Sequence, residues 1–181
     1  VLTYSYVDTR QRAKRRDWER TLIVGIVVVE QAPLDPTAFP SLLARTSALE
    51  AQLDEQMRRY LPAGPKPFAF GVLGPVVEAE APPTPPETDS LVDLAKYQWK
   101  MRRWVTRIDE AGNLRTRGYD SRIYLVARPP VDARRKVIEG ASEDGGRIGI
   151  VSVELDRSMV DLALFVATHE LFHTLGATDR Y

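Results

Sequence analysis

The segment TLIVGIVVVE, residues 21–30, is apolar along almost its whole length and consists mainly of β-branched side chains. This pattern predicts a β-strand that is buried on both faces, as in a parallel sheet covered by helices on each side. The unbroken apolar run within it, from Leu22 to Val29, is shorter than the ~20 residues that a membrane helix needs. We therefore expect a core strand of an α/β domain, and no membrane segment within this chain.

The segments that follow this strand alternate between helical and extended patterns. Apolar spacing predicts helices over residues 41–61 and 90–110, and compact apolar runs predict strands over residues 68–77, 121–128 and 147–156. Such alternation is typical of an α/β domain with a largely parallel sheet. We predict a single domain over residues 1–181, with a twisted mixed sheet of four or five strands, an edge strand and a final helix.

The strand predicted at residues 147–156 has apolar side chains in two sets. Ile148 and Ile150 form the first set, and Val151, Val153 and Leu155 form the second. The two sets point to opposite faces of the strand. We interpret this change as a one-residue shift in the alternation and predict a β-bulge, a feature that sheets favour at edges and beside active sites.

The charge balance and the absence of cysteine exclude several classes of protein. The 181 residues include 25 basic and 25 acidic side chains, so we expect no nucleic-acid partner. Without cysteine the chain has no disulfide framework, no thiolate nucleophile and no cysteine-ligated metal site. The basic stretch over residues 10–20 is interrupted by Asp17 and Glu19, so we expect it to be a solvated face.

The final helix carries the residues that indicate a function. Residues 159–175, MVDLALFVATHELFHTL, are apolar almost all round, which predicts a buried helix. Ser158 followed by Asp161 resembles a capping box at its start, and Gly176 stands where helices commonly end in a left-handed residue.

The only two histidines of the chain, His169 and His173, lie in this helix. At about 3.6 residues per turn they share one face, one turn apart, and both can reach a single metal ion. Glu170 lies beside that face, in a position to hold a metal-bound water rather than to ligate the metal. A metal that acidifies water, together with a carboxylate that accepts its proton, is what peptide hydrolysis requires.

Two imidazoles do not complete a catalytic zinc site, which commonly has three protein ligands and one open position. Because the chain has no third histidine, the third ligand must be a carboxylate or lie outside this chain. Asp179 is the candidate, since a sharp turn at Gly176 would let the chain fold back towards the ion.

The stretch HELFHTLGATDRY, residues 169–181, resembles the extended zinc signature H-E-x-x-H-x-x-G-x-x-H/D of the metzincin metalloproteases. It is most similar to the branch with aspartate as third ligand, typified by snapalysin-like bacterial neutral proteases. The resemblance implies one catalytic Zn²⁺ held by His169, His173 and Asp179, with Glu170 as the general base of a zinc endopeptidase.

The resemblance also implies roles for residues around this motif. Gly176 would be the turn residue, and Tyr181 matches the family in position without an assigned role. In the family a lower subdomain with a methionine-containing turn follows the motif, whereas Met57, Met101 and Met159 all precede it. We therefore expect the natural protein to continue beyond residue 181.

The family's upper subdomain has a mixed sheet with an antiparallel edge strand above the cleft. The resemblance places that edge between Val151 and Leu155 or in neighbouring residues, and implies that an extended peptide or protein substrate pairs with it. It also implies an extracellular or cell-envelope location. The helix predicted at residues 90–110 is an addition to the family pattern.

Three functions remain open from the sequence. The first is a secreted zinc metalloprotease that hydrolyses internal peptide bonds, and the second is a non-catalytic zinc-binding domain or inactive protease-like module. The third is an interaction module that uses the basic stretch over residues 10–20. The first is favoured over the second because a glutamate such as Glu170 is useful for hydrolysis and costly to bury otherwise.

Overall fold

The computed structural model describes residues 13–87, 90–132, 136–142 and 146–179. These residues form a five-stranded mixed sheet and three long α-helices, as the alternating sequence pattern predicts. The strands are β1 (Leu22–Glu30), β2 (Phe68–Val77), β3 (Ser121–Arg128), β4 (Ile138–Ser142) and β5 (Ile148–Glu154), and the helices are α1 (Ala38–Arg58), α2 (Leu91–Ala111) and α3 (Val160–Thr174).

The sheet has the strand order β2-β1-β3-β5-β4. Strands β1, β2, β3 and β5 are parallel to one another, and β4 pairs antiparallel with β5 at one edge. Strand β1 lies between β2 and β3, and its side chains from Ile26 to Val29 are fully buried. The prediction of a core strand is confirmed, and burial on both faces holds from Val24 to Val29, whereas Ile23 near its start is 46% exposed.

The helices cover both faces of the sheet. Helices α1 and α3 pack on one face, where the larger apolar core contains Leu42 of α1 and Leu171 of α3. Helix α2 packs on the other face, where Trp104 and Ile108 contact a core that includes Tyr124. Because apolar side chains are needed on both faces, the strands contain nearly continuous apolar runs.

The bulge predicted within residues 147–156 is absent, because β5 pairs without interruption with both β3 and β4. Ile148 and Ile150 face α2, whereas Val151 and Val153 face α3. This is ordinary strand alternation with an apolar side chain on each face, so the interpretation as a shift in the alternation is wrong. Among the described residues, the register shift lies instead in the β1–β2 pair, between Val27 and Val29.

The edge strand is β4, not the segment between Val151 and Leu155. Val151 and Val153 lie on β5, inside the sheet, between β3 and β4. The β4 sequence, IEGAS, has only one large apolar side chain because an edge strand is largely exposed, and it therefore lacks the pattern of a buried strand. The antiparallel edge strand exists, but its predicted position is wrong.

The capping box predicted from Ser158 and Asp161 does not form. Asp156 caps this end instead: its Oδ1 accepts hydrogen bonds from the backbone N–H groups of Ser158 (2.8 Å) and Met159 (3.2 Å). A short 3-10 turn, Arg157–Met159, precedes α3, so the N-cap residue is Asp156, which stands before that turn. Lys136 Nζ binds Asp156 Oδ2 at 2.6 Å and joins this turn to the chain before β4.

The basic stretch is not simply a solvated face, because Arg15 is 4% exposed. Its Nη1 donates hydrogen bonds to the carbonyl oxygens of Gly146 (2.7 Å) and Thr174 (3.2 Å) and to Ser121 Oγ (3.3 Å). Residues 10–12 lie outside the described part of the chain. No helix in the described ranges combines the length and apolarity that a membrane crossing would require.

Candidate metal centre

His169 and His173 project from one face of α3, as their spacing predicts. Their Nε2 atoms are 3.1 Å apart, and the ring planes are nearly perpendicular at 89°. The helix is held on the sheet by buried side chains on its opposite side, among them Ala163, Ala167 and Leu171. The two imidazoles are therefore fixed on the outer part of a rigid, packed helix.

Helix α3 ends in a Schellman motif. Gly176 has a left-handed φ of 87°, and its N–H donates to the carbonyl of His173 at 2.8 Å. The N–H of Ala177 donates to the carbonyl of Phe172 at 3.0 Å, which is the second bond of the motif. Because glycine adopts a positive φ without steric strain, it lets the chain reverse directly after the second histidine.

The reversal brings a backbone acceptor to His173. The carbonyl oxygen of Ala177 lies 2.8 Å from His173 Nδ1, and a carbonyl can only accept, so Nδ1 carries the proton. In the neutral ring, Nε2 then presents its lone pair, as a metal ligand must. A hydrogen bond of this kind fixes both the tautomer and the orientation of a ligating histidine.

The same reversal brings Asp179 to the two histidines. Its Oδ1 lies 3.7 Å from His169 Nε2, and its Oδ2 lies 3.4 Å from His173 Nε2. In a tetrahedral site with metal–ligand distances of about 2.0–2.1 Å, neighbouring ligand atoms are about 3.3 Å apart. The two nitrogens are 3.1 Å apart, close to that spacing, and a different oxygen of the Asp179 carboxylate lies 3.4 or 3.7 Å from each nitrogen. The donor types and their closeness are those that a zinc ion requires.

Glu170 lies on the side of α3 that faces the sheet edge and is 5% exposed. Ligand atoms of His169, Glu170 and His173 lie within 4.8 Å of one another. The carboxylate packs beneath β4, where a Cβ added to Gly140 would overlap Glu170 Oε1. The structure therefore brings together all four residues that the motif predicts. Tyr181 lies outside the described residues.

Sequence reasoning missed two glycines beside Glu170. Gly140 on β4 lies at its carboxylate, and a Cβ on Gly149 of β5 would come within 3.2 Å of its Cβ. Neither glycine belongs to the zinc signature. An isolated glycine within a strand pattern indicates that another group approaches the strand backbone closely. Gly149, within RIGIV at residues 147–151, fits this pattern.

Sequence reasoning also missed the support given by Arg15 to the end of α3. Its guanidinium donates to the carbonyl of Thr174, the last residue of the helix. A positive charge at this end also complements the helix dipole. The Thr174 hydroxyl lies 2.9 Å from Ser121 Oγ and donates to the carbonyl of Leu171 at 2.7 Å. These contacts join the end of the helix to the start of β3.

A wide cavity of about 1140 Å³ lies on the α2 side of the sheet, away from the histidines. Its lining includes Arg122, Ile150 and Gly140, but none of the histidine or carboxylate groups of the candidate metal centre. Gly140 thus borders this cavity and also contacts Glu170.

No family model, no curated protein and no solved structure matches the chain. The functional interpretation therefore rests on the arrangement of the chain's own residues.

Proposed function

We propose that this chain is the zinc-binding part of an endopeptidase of the metzincin type, which hydrolyses internal peptide bonds. The observation that carries the proposal is the convergence of three donor groups: His169 Nε2 and His173 Nε2 are 3.1 Å apart, and the Asp179 carboxylate has one oxygen within 3.7 Å of the first and the other within 3.4 Å of the second. Two imidazoles and one carboxylate suit zinc better than calcium or magnesium, which prefer oxygen ligands.

His169, His173 and Asp179 would hold the ion, and the fourth position would remain open. When bound, zinc would supply Lewis acidity and lower the pKa of water to about 7. The hydrogen bond from His173 Nδ1 to Ala177 supports this assignment, because it leaves Nε2 free to bind.

Glu170 is the proposed general base. Its carboxylate accepts a proton from the attacking water and later delivers that proton to the leaving amine. Two observations support this role: its oxygen lies within 4.8 Å of the imidazole nitrogens, and its side chain is buried on the sheet side. A buried carboxylate keeps a defined orientation, which a proton-transfer group needs.

The exposed edge of β4 is the proposed site for the substrate backbone. Strand β4 is antiparallel to β5, and it is the sheet edge next to Glu170. An extended peptide can add to such an edge through main-chain hydrogen bonds. This location replaces the segment between Val151 and Leu155. The mixed sheet with one antiparallel edge supports the relation to the metzincin upper subdomain, and the extracellular or cell-envelope location remains part of the proposal.

A non-catalytic zinc-binding domain is the main alternative, because its ligand set would be the same. The burial of Glu170 beside the ligands favours the peptidase, since an inert zinc site has no use for that carboxylate. The interaction module is less favoured, because Arg15 is buried and Arg20 is paired with Asp120 at 2.6 Å.

The test compares the full chain with Glu170→Gln, after zinc loading, on an internally quenched peptide and on casein. We expect the substitution to keep zinc, measured by elemental analysis, and to lower kcat by at least ~10²-fold. Asp161→Asn is the matched control, because Asp161 is an exposed carboxylate on the same helix. The proposal is overturned if the zinc-loaded parent cleaves neither substrate, or if zinc-loaded Glu170→Gln cleaves as fast as the parent.

A further inference from the structure

We infer that Gly140, on the edge strand β4, is a positioning residue for the Glu170 carboxylate. The inference rests on the proposed function, because it concerns the side chain that would act as general base. It extends that function to a residue outside the zinc signature, on a different element of the fold.

The first observation is the closeness of the β4 backbone to the carboxylate. A Cβ added to Gly140 would overlap Glu170 Oε1 and would lie 2.7 Å from its Cδ and 3.0 Å from its Cγ. Real Cβ atoms do not approach other heavy atoms so closely. A larger residue at this position would therefore displace the carboxylate, which is the end of a flexible side chain.

The second observation is that the base of the Glu170 side chain lies close to β5. A Cβ on Gly149 of β5 would lie 3.2 Å from the Cβ of Glu170, so β5 closely borders the base of the side chain. The Glu170 side chain is 5% exposed. Pushed from Gly140, its carboxylate would move away from β4.

Regular strand pairing does not require glycine at residue 140. Gly140 is opposite Val151 in an antiparallel ladder that runs without a shift from Ile138 to Ser142. The glycine therefore does not form a bulge, and glycine within a strand otherwise weakens it. The close approach of Glu170 is the feature of this structure that requires a residue without Cβ.

Displacement of the base is expected to affect catalysis more than metal binding. A shift of about 1 Å in a catalytic group can lower the rate by about 10²-fold. The three atoms nearest to a Cβ added at Gly140 all belong to Glu170, and none belongs to a proposed zinc ligand. Zinc affinity should therefore stay close to that of the parent. Gly140 thus sets the position of the proton acceptor without holding the metal.

The test is a double-mutant cycle of Gly140→Ala and Glu170→Ala in the full chain. In the parent background, Gly140→Ala should lower Tm by about 2–4 °C, because the added Cβ displaces the buried end of one flexible side chain. In the Glu170→Ala background it should lower Tm by less than ~2 °C, because the overlapping atoms are gone. Gly118→Ala is the control, since a Cβ there meets nothing within 4 Å.

The kinetic arm uses the zinc-loaded protein and the quenched peptide. We expect Gly140→Ala to lower kcat by about 10²-fold with KM and zinc affinity within about twofold of the parent. A merely structural role would not separate kcat from KM and zinc affinity in this way. Equal Tm shifts in the two backgrounds would overturn the inference, even if the parent proves inactive. Unchanged kcat in an active parent would also overturn it.

Discussion

His173 donates a hydrogen bond from Nδ1 to the carbonyl oxygen of Ala177, 2.8 Å away, across the turn that ends α3. This bond joins the orientation of one proposed ligand to the backbone turn that also returns Asp179 to the histidines. The turn depends on the positive φ of Gly176. The end of the helix and the candidate metal centre are therefore one structural unit.

Replacement of Gly176 should weaken zinc binding through this turn. In Gly176→Ala, the left-handed conformation at φ 87° becomes strained by about 1 kcal/mol. We expect a 10–100-fold loss of zinc affinity, the range typical when the hydrogen-bond partner of a ligating histidine is disturbed. Competition with a chromogenic chelator measures the affinity, with Gly118→Ala as control. Retention of parental affinity would show that the turn does not organise the site.

Replacement of Asp179 tests the third ligand. Asp179→Asn should lower zinc affinity by more than about 100-fold, because loss of a ligand exceeds the effect of losing a ligand's hydrogen-bond partner. Its exposed position predicts almost no change in the Tm of the metal-free protein. Asp179→His should bind zinc again, since imidazole is also a zinc ligand. If Asp179→Asn binds zinc as tightly as the parent, Asp179 is not a zinc ligand.

Asp156 should make the free energy of unfolding depend on pH in the acidic range. The hydrogen bond from Lys136, with those from Ser158, lowers the pKa of Asp156 from 3.8 to about 2. Because the folded-state pKa is depressed, the stabilisation is present above pH ~4 and is lost as the pH falls towards 2.

Asp156→Asn should therefore lower the free energy of unfolding at pH 7 by about 1 kcal/mol, after allowance for solvent screening. The difference from the parent should shrink between pH ~4 and pH ~2.5 in urea denaturation. A difference that stays constant over this range would contradict the assignment. The control substitution is Asp161→Asn, which removes an exposed carboxylate that is paired with Arg45 at 2.6 Å.

Arg15 should stabilise the fold although it lies in a basic surface stretch. Arg15→Met would leave the carbonyl oxygens of Gly146 and Thr174 without this donor, at a cost of about 2–4 kcal/mol. Chemical denaturation measures the loss, and Arg16→Met at the exposed neighbouring position is the control. Equal effects of the two substitutions would mean that the buried contacts contribute nothing.

Much of the fold could be predicted from local sequence patterns. The patterns predict the strands at residues 68–77 and 121–128 with the bounds that the structure has, and the three long helices to within a few residues. These elements have apolar patterns that their burial requires. Strand β4 could not be predicted in this way, because most of its residues face solvent and pair with β5 only through the backbone.

In the candidate site, too, some features could be predicted from local sequence and others could not. The spacing of His169 and His173 and the position of Gly176 predict their arrangement, because helix geometry and a left-handed glycine act over a few neighbouring residues. Gly140 and Arg15 could not be connected to this site from the sequence. Each reaches it only through the packing of α3 against distant strands.

The sequence by itself therefore determined that His169 and His173 could hold a metal and that they share one helix face. Only the tertiary structure decided which strand is the exposed edge, what borders Glu170 and what anchors the end of α3. The physical reason is the range of the interactions. Helical periodicity and turn preference are set by local backbone sterics, whereas strand order and the contact between Gly140 and Glu170 depend on how separate segments pack.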